Sequence, residues 1–143
     1  MVYNNHNYYY IFQSMVMSRK SKQKEAILGV VKGTTSHPTA NWVYDQVRRE
    51  IPNISLGTVY RNLKLLKEEG QILDIALDGT LNRFDGNTQY HHHLVCEQCG
   101  RVLDVISEEP MERAMVDRVA QRTGFKVTQH RYEFRGLCKD CQS

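Results

Sequence analysis

The feature that most constrains this chain is a pair of Cys-x-x-Cys sequences, Cys96/Cys99 and Cys138/Cys141, which together use all four of its cysteines. Gly100 follows the first pair and Gly136 precedes the second, so each reads as a tight knuckle where a strand turns. Two such knuckles can supply the four thiolates of a closed tetrahedral zinc site. A site of this kind contributes folding energy directly, and it obliges the segments around residues 96 and 138 to fold against each other. The spacing between the pairs is longer than in a compact zinc ribbon and leaves room for a helix and a strand.

A disulfide framework is the first rival, and it needs an exported protein. Residues 1–17, MVYNNHNYYYIFQSMVM, show no basic leading segment, no sustained apolar core and no small-residue cleavage site. No run is long enough to span a bilayer. A cytoplasmic protein with reduced thiols is expected, and there paired cysteines favour metal. A redox-active Cys-x-x-Cys is the second rival, and it leaves the other pair unexplained. The leader, rich in Asn and Tyr and free of Lys, Arg, Asp and Glu, reads as a disordered or loosely docked extension, with Met15 and Met17 as alternative natural starts.

The run over 83–100, RFDGNTQYHHHLVCEQCG, adds an aspartate and three consecutive histidines. On an extended strand His91 and His93 point to one side and His92 to the other. Asp104 falls in the next strand, Asp85 just before a polar linker, and His37 just before a helix. Any one of them alone is an ordinary polar side chain. Together His37, Asp85, His91, His93 and Asp104 offer three imidazoles and two carboxylates, a nitrogen and oxygen set suited to five- or six-coordinate Fe2+ or Mn2+ rather than tetrahedral zinc. His37 and Asp85 belong to the first half of the chain and the other three to the second. One ion held by all five would fix the orientation of two domains, which is the requirement of a switch rather than of a catalyst.

Helical periodicity begins near Arg19, where a basic stretch leads into Ala26, Ile27, Val30 and Val31. His37-Pro38-Thr39 opens a second helix, with Pro or Thr in its first turn and Trp42, Val43 and Val47 on its apolar side. Ser55 caps a third helix over 56–69 that carries Leu56, Val59, Leu63 and Leu66 on one face, and Gly70 stops it. Residues 72–77 and 81–84, separated by Asp78-Gly79, read as a hairpin. Three helices and a hairpin form the order of a winged helix-turn-helix, although a helical core with an incidental hairpin has the same outline. Past the polar GNTQ, strands over 92–96 and 101–106, a helix over 108–122 stopped by Gly124 and a strand over 126–135 make a small α+β unit. Net charge is only +3, yet residues 18–71 hold ten Lys/Arg against five Asp/Glu, while 72–143 hold nine against eleven. The first half is therefore the better candidate for a polyanionic partner.

HPTANWVYDQV, ISLGTVYRNLKLLKEEG, RFDG, HHHLVCEQCGRVLD and GLCKDC, in that order, resemble the successive hallmarks of the ferric uptake regulator family and cover nearly everything from about Lys24 to Cys141. The resemblance implies an α+β protein: an N-terminal winged helix-turn-helix domain plus a small C-terminal α/β dimerisation domain with a four-cysteine zinc site. The expected organisation is an extension over 1–17, the DNA-binding domain over 18–85, a hinge over 86–91 and the dimerisation and metal-binding domain over 92–143. Structural Zn2+ at Cys96, Cys99, Cys138 and Cys141 is joined by regulatory Fe2+ or Mn2+ at His37, Asp85, His91, His93 and Asp104. The implied protein is a homodimeric, metal-dependent repressor of a palindromic operator in double-stranded DNA, not an enzyme. Ser55, Thr58, Tyr60, Arg61, Asn62 and Lys64 would face the DNA, with Lys20, Lys22 and Lys24 adding backbone contacts.

Within the family, the two aspartates resemble the peroxide-sensing branch, whereas iron-sensing members usually carry glutamates there. Zinc-sensing members use an additional cysteine, and none is left over here. In the peroxide-sensing branch, Fe2+ reacts with hydrogen peroxide and a ligand histidine becomes 2-oxo-histidine. His37 and His91 are the matching candidates, and Mn2+ would hold the same DNA-binding shape without that chemistry. An iron-responsive uptake regulator is the alternative. The Thr-Pro-Gln-Arg sequence usual before the first core helix is replaced by residues 19–24, RKSKQK, so a shortened or differently docked first helix is expected. A third metal site occurs near the dimer core of some members. His92 and His130 could contribute to it, but Tyr90 stands where a ligand belongs, and the site is not expected.

Overall fold

The computed structural model describes residues 5–76, 81–106, 109–130 and 132–142. The chain divides into two compact units, Met1–Thr88 and Gln89–Ser143.

The first unit contains α1 (Asn5–Lys32), α2 (Ala40–Glu50), α3 (Leu56–Glu68) and a two-stranded antiparallel wing of β1 (Leu73–Ile75) and β2 (Arg83–Asp85). Each helix end follows from its local sequence. The Thr39 side chain accepts the Trp42 N–H at 3.2 Å, so Thr39 is the N-cap of α2 and Pro38 lies outside the helix rather than in its first turn. Ser55 caps α3 in the same way, accepting the Thr58 N–H at 3.1 Å. At the other end Gly70 takes φ +69, and the Gly70 and Gln71 N–H groups donate to the Lys67 and Leu66 carbonyls, the paired bonds of a Schellman stop.

The three helices converge on one apolar cluster: Ile27 and Val31 from α1, Ala40, Val43 and Val47 from α2, Val59, Leu63 and Leu66 from α3, closed by Ile54, Ile72 and Phe84. Two expectations fail. Trp42 and Leu56 are each more than a third exposed, because both sit in first turns that extend past the packed faces. The first helix is not shortened: it runs from Asn5, well before Arg19 and through much of the expected loose extension. Lys24 pairs with Glu69 at the C-cap of α3 at 2.8 Å and holds that carboxyl below its usual range. The Asp78-Gly79 turn lies outside the described residues.

In the second unit β3 (His92–Cys96) is the central strand, antiparallel to β4 (Val102–Val105) and parallel to β5 (Glu133–Gly136), with α4 (Glu109–Thr123) in the connection. Parallel pairing of β3 with β5 needs a crossover of this length. The third strand is shorter than expected, since residues 126–130 carry no regular structure. Among the described residues, the buried apolar side chains of this unit are Val95 and Val102, with Cys96 beside them. So small a core needs a further source of stability.

Candidate metal centres

The cysteine centre supplies it. β3 delivers Cys96 at its last position, and the chain then turns so that the Gly100 N–H donates to the Cys96 carbonyl at 2.9 Å, with Gly100 at φ +69. β5 ends at Gly136 in register with Cys96, which places Cys138 and the short 3-10 turn Lys139–Cys141 beside the first knuckle. All four sulfurs lie within 4.8 Å of one another. Cys99 Sγ and Cys138 Sγ are 3.8 Å apart, close to the ~3.8 Å that Zn–S bonds of ~2.3 Å give across a tetrahedron. That distance fits four thiolates around one Zn2+ and is far too long for a disulfide.

The protein also prepares the sulfurs electrostatically. Backbone N–H donation, first from Cys99 and then from Cys138, pulls the Cys96 thiol down to about 6, and the Cys138 N–H lies 3.3 Å from Cys96 Sγ. A hydrogen bond with the Cys138 side chain, together with burial, pushes Cys141 up to about 12. Arg101, paired with Asp140 at 2.8 Å, also feels the Cys138 and Cys99 sulfurs, and all three influences raise its pKa. It brings positive charge to a cluster that stays net negative once zinc is bound.

Each unit separately carries buried nitrogen and oxygen donors. In the first, His37 Nε2 lies 3.5 Å from Asp85 Oδ2, both side chains buried. The wing brings them together. Phe84 N–H donates to the Pro38 carbonyl at 2.9 Å and Thr39 bridges to Arg83, so residues 37–39 run alongside β2. Asp85 Oδ1 also accepts the Asn87 N–H at 2.8 Å, which fixes the carboxylate's orientation. His37 has φ +51, left-handed for a bulky residue, a conformation that costs on the order of 1–3 kcal/mol. Sequence reasoning had no signal for this backbone conformation.

In the second unit His93 stands opposite Asp104 in the β3–β4 register. His91 Nε2 lies 3.0 Å from His93 Nε2 and 3.2 Å from Asp104 Oδ1, and His93 Nε2 is 3.5 Å from the same oxygen. His91 Nδ1 lies 2.6 Å from the Gln89 carbonyl. Donation there places the ring proton on Nδ1 and leaves the Nε2 lone pair facing His93 and Asp104, the arrangement common in metal-ligating histidines. Imidazole and carboxylate donors without sulfur suit Fe2+ or Mn2+. His92 points elsewhere: its Nε2 bonds Glu112 Oε1, and its ring packs against Tyr90 and Tyr132. His130 Nε2 lies 3.5 Å from the second oxygen of Glu112. Glu112, which lies against both of these histidines, was not singled out from the sequence.

On α3 the expected DNA-facing residues form a connected polar surface. Ser55 Oγ lies 2.9 Å from Thr58 Oγ1, which accepts from Arg61 Nη2 at 3.0 Å, and Asn62 Nδ2 donates to the Thr58 carbonyl at 2.8 Å. Tyr60 and Lys64 are exposed.

Fold and cysteine centre together define a zinc-binding winged-helix protein. The sequence matches the Ferric uptake regulator family over residues 16–135, and the chain belongs to that family. It is 39% identical over 125 residues to the peroxide-responsive repressor PerR of Staphylococcus aureus, covering 87% of this chain and 82% of that protein. The fold superposes on the Campylobacter jejuni peroxide stress regulator with a TM-score of 0.76 at 24% identity, covering 91% of this chain and 96% of the other. The Vibrio cholerae ferric uptake regulator matches with a TM-score of 0.66 at 28% identity, covering 81% and 88%. Among the described residues no helix is long and apolar enough to cross a membrane.

Proposed function

We propose that this protein is a homodimeric, metal-dependent repressor that binds a palindromic operator in cytoplasmic DNA and is released by hydrogen peroxide. The observation that carries the reading is the convergence of His91, His93 and Asp104 on one point in a chain that also bears a winged helix. His37 and Asp85 complete the ligand set, and a shared Fe2+ or Mn2+ then sets the relation of the two units and hence the spacing of two α3 helices in a dimer.

Several features support the dimer and the DNA face. Leu103, Ile106, Met115, Val119, Phe125, Phe134 and Leu137 are exposed on the second unit, apolar side chains that a dimer contact would cover. Thr58, Arg61 and Asn62 lie in the first two turns of α3, where a recognition helix meets bases and phosphates.

Bound ferrous iron supplies redox chemistry toward peroxide. The imidazole of His37 or His91 takes up one oxygen atom at its C2 carbon, giving 2-oxo-histidine while the other peroxide oxygen leaves as water. The oxidised ring no longer offers its donor, and the link between the units is lost. Mn2+ occupies the same donors without this chemistry.

The test is a binding titration on a DNA fragment selected from a random pool by the zinc- and manganese-loaded protein. Fe2+ or Mn2+ added to the zinc form should raise affinity by at least tenfold. Equal affinity with and without the second metal would refute the switch. Release by iron depletion with no histidine oxidation would mark an iron-responsive uptake regulator instead.

A further inference from the structure

We infer that Arg83 is a positioning residue for the regulatory metal, acting by holding His37 in its strained backbone conformation. The inference rests on the reading of His37 as a ligand. Arg83 meets the His37 segment in two ways. Its backbone forms an antiparallel bridge with Thr39, and its Nη1 reaches back to donate to the His37 carbonyl at 3.3 Å. The next residue, Phe84, donates to the Pro38 carbonyl at 2.9 Å, and the one after that is Asp85. A single strand thus fixes the carbonyl of one proposed ligand while carrying the other.

Backbone geometry makes this guanidinium matter. His37 at φ +51 is the one described non-glycine residue in the left-handed region, which costs more than the relaxed backbone, so the peptide that follows it needs an external reason to point as it does. A donor placed on the His37 carbonyl favours that peptide orientation over the relaxed one. Without the donor the residue can return to negative φ, and its ring swings away from Asp85. Arginine is the suitable donor because its planar fork keeps several N–H groups on a rigid plane at the end of a long stem, whereas lysine presents one compact ammonium. On the far side, Gly86 approaches α1 so closely that a Cβ there would lie 2.7 Å from Lys32 Cα. The strand therefore cannot shift toward α1 to make up for a lost contact.

The effect should fall on the metal rather than on the fold. Partners that orient a ligand typically change metal affinity by about 10- to 100-fold. The experiment compares full-length parent, Arg83→Met, Arg83→Lys and His37→Ala, each loaded with zinc. Mn2+ affinity is measured by titration and Co2+ absorption is used to report the ligand set. Arg83→Met should bind Mn2+ about 10- to 100-fold more weakly and shift the Co2+ bands toward those of His37→Ala. Its melting temperature without the second metal should match the parent, and Arg83→Lys should recover part of the affinity. Parent-like affinity and Co2+ bands in Arg83→Met, beside a His37→Ala that has lost them, would overturn the inference and leave the proposed function standing. A lowered melting temperature with parent-like Mn2+ affinity in the folded fraction would overturn it as well, assigning Arg83 to stability. Parent-like Mn2+ affinity in His37→Ala would instead remove the proposed function, and the inference with it.

Discussion

Cys99 Sγ and Cys138 Sγ face each other at 3.8 Å, from opposite ends of a unit whose described apolar core is Val95 and Val102. The geometry makes zinc part of the fold of this unit. Cys99→Ser or Cys138→Ser should cost most of the metal's contribution, on the order of 10 kcal/mol or more for structural zinc. Elemental analysis should show less than one zinc per chain, and circular dichroism should show loss of the second unit's structure.

Acid should remove zinc in two regimes. Cys141, held near 12, carries a proton that zinc must displace at any neutral pH, whereas Cys96, held near 6, is already a thiolate there. Below about pH 6 a further proton competes. The Cys96 thiolate, depressed relative to about 8.5 in an unfolded chain, lends stability above that value and loses it as pH falls through about 6. Chelator competition across about pH 5 to 8 should show the fall of zinc affinity steepening below about 6.

His37→Ala or Asp85→Ala should abolish metal-dependent DNA binding while the protein keeps its zinc and its fold. Both side chains are buried, yet they lie at the wing and outside the apolar cluster that closes the helices. Operator titrations with Mn2+ beside thermal melts separate the two effects; unfolding would assign these residues to structure.

Ser55→Ala should lower stability by about 1 kcal/mol through loss of the α3 cap, readable in urea unfolding. Arg61→Ala should weaken operator binding. If it contacts phosphate, the salt slope of binding should also drop by about 1. If it reads a base, the loss should be confined to particular sequences.

The fold was legible where local chemistry decides it. Ser55 and Gly70 set helix ends through caps that side-chain type alone predicts, whereas Thr39, expected in the first turn of α2, is its cap; the spacing of Val59, Leu63 and Leu66 gives the buried face of α3. The cysteine centre was legible because paired knuckles have few other uses. Trp42 and Leu56 misled because periodicity does not say where the packed surface ends. The Lys24–Glu69 pair joins two different helices and had no local signal. The left-handed backbone of His37 and the bond from Arg83 depend on two segments meeting in space, and no local pattern announces them.

The most direct test of the account is intact-protein and peptide mass spectrometry of the zinc- and Fe2+-loaded protein before and after hydrogen peroxide, run beside a DNA-binding assay. The account predicts the gain of one oxygen atom in a peptide containing His37 or His91, in step with loss of DNA binding, and no change in the Mn2+ form. Loss of DNA binding with both peptides unmodified, or with oxidation confined to Cys96, Cys99, Cys138 and Cys141, would contradict it.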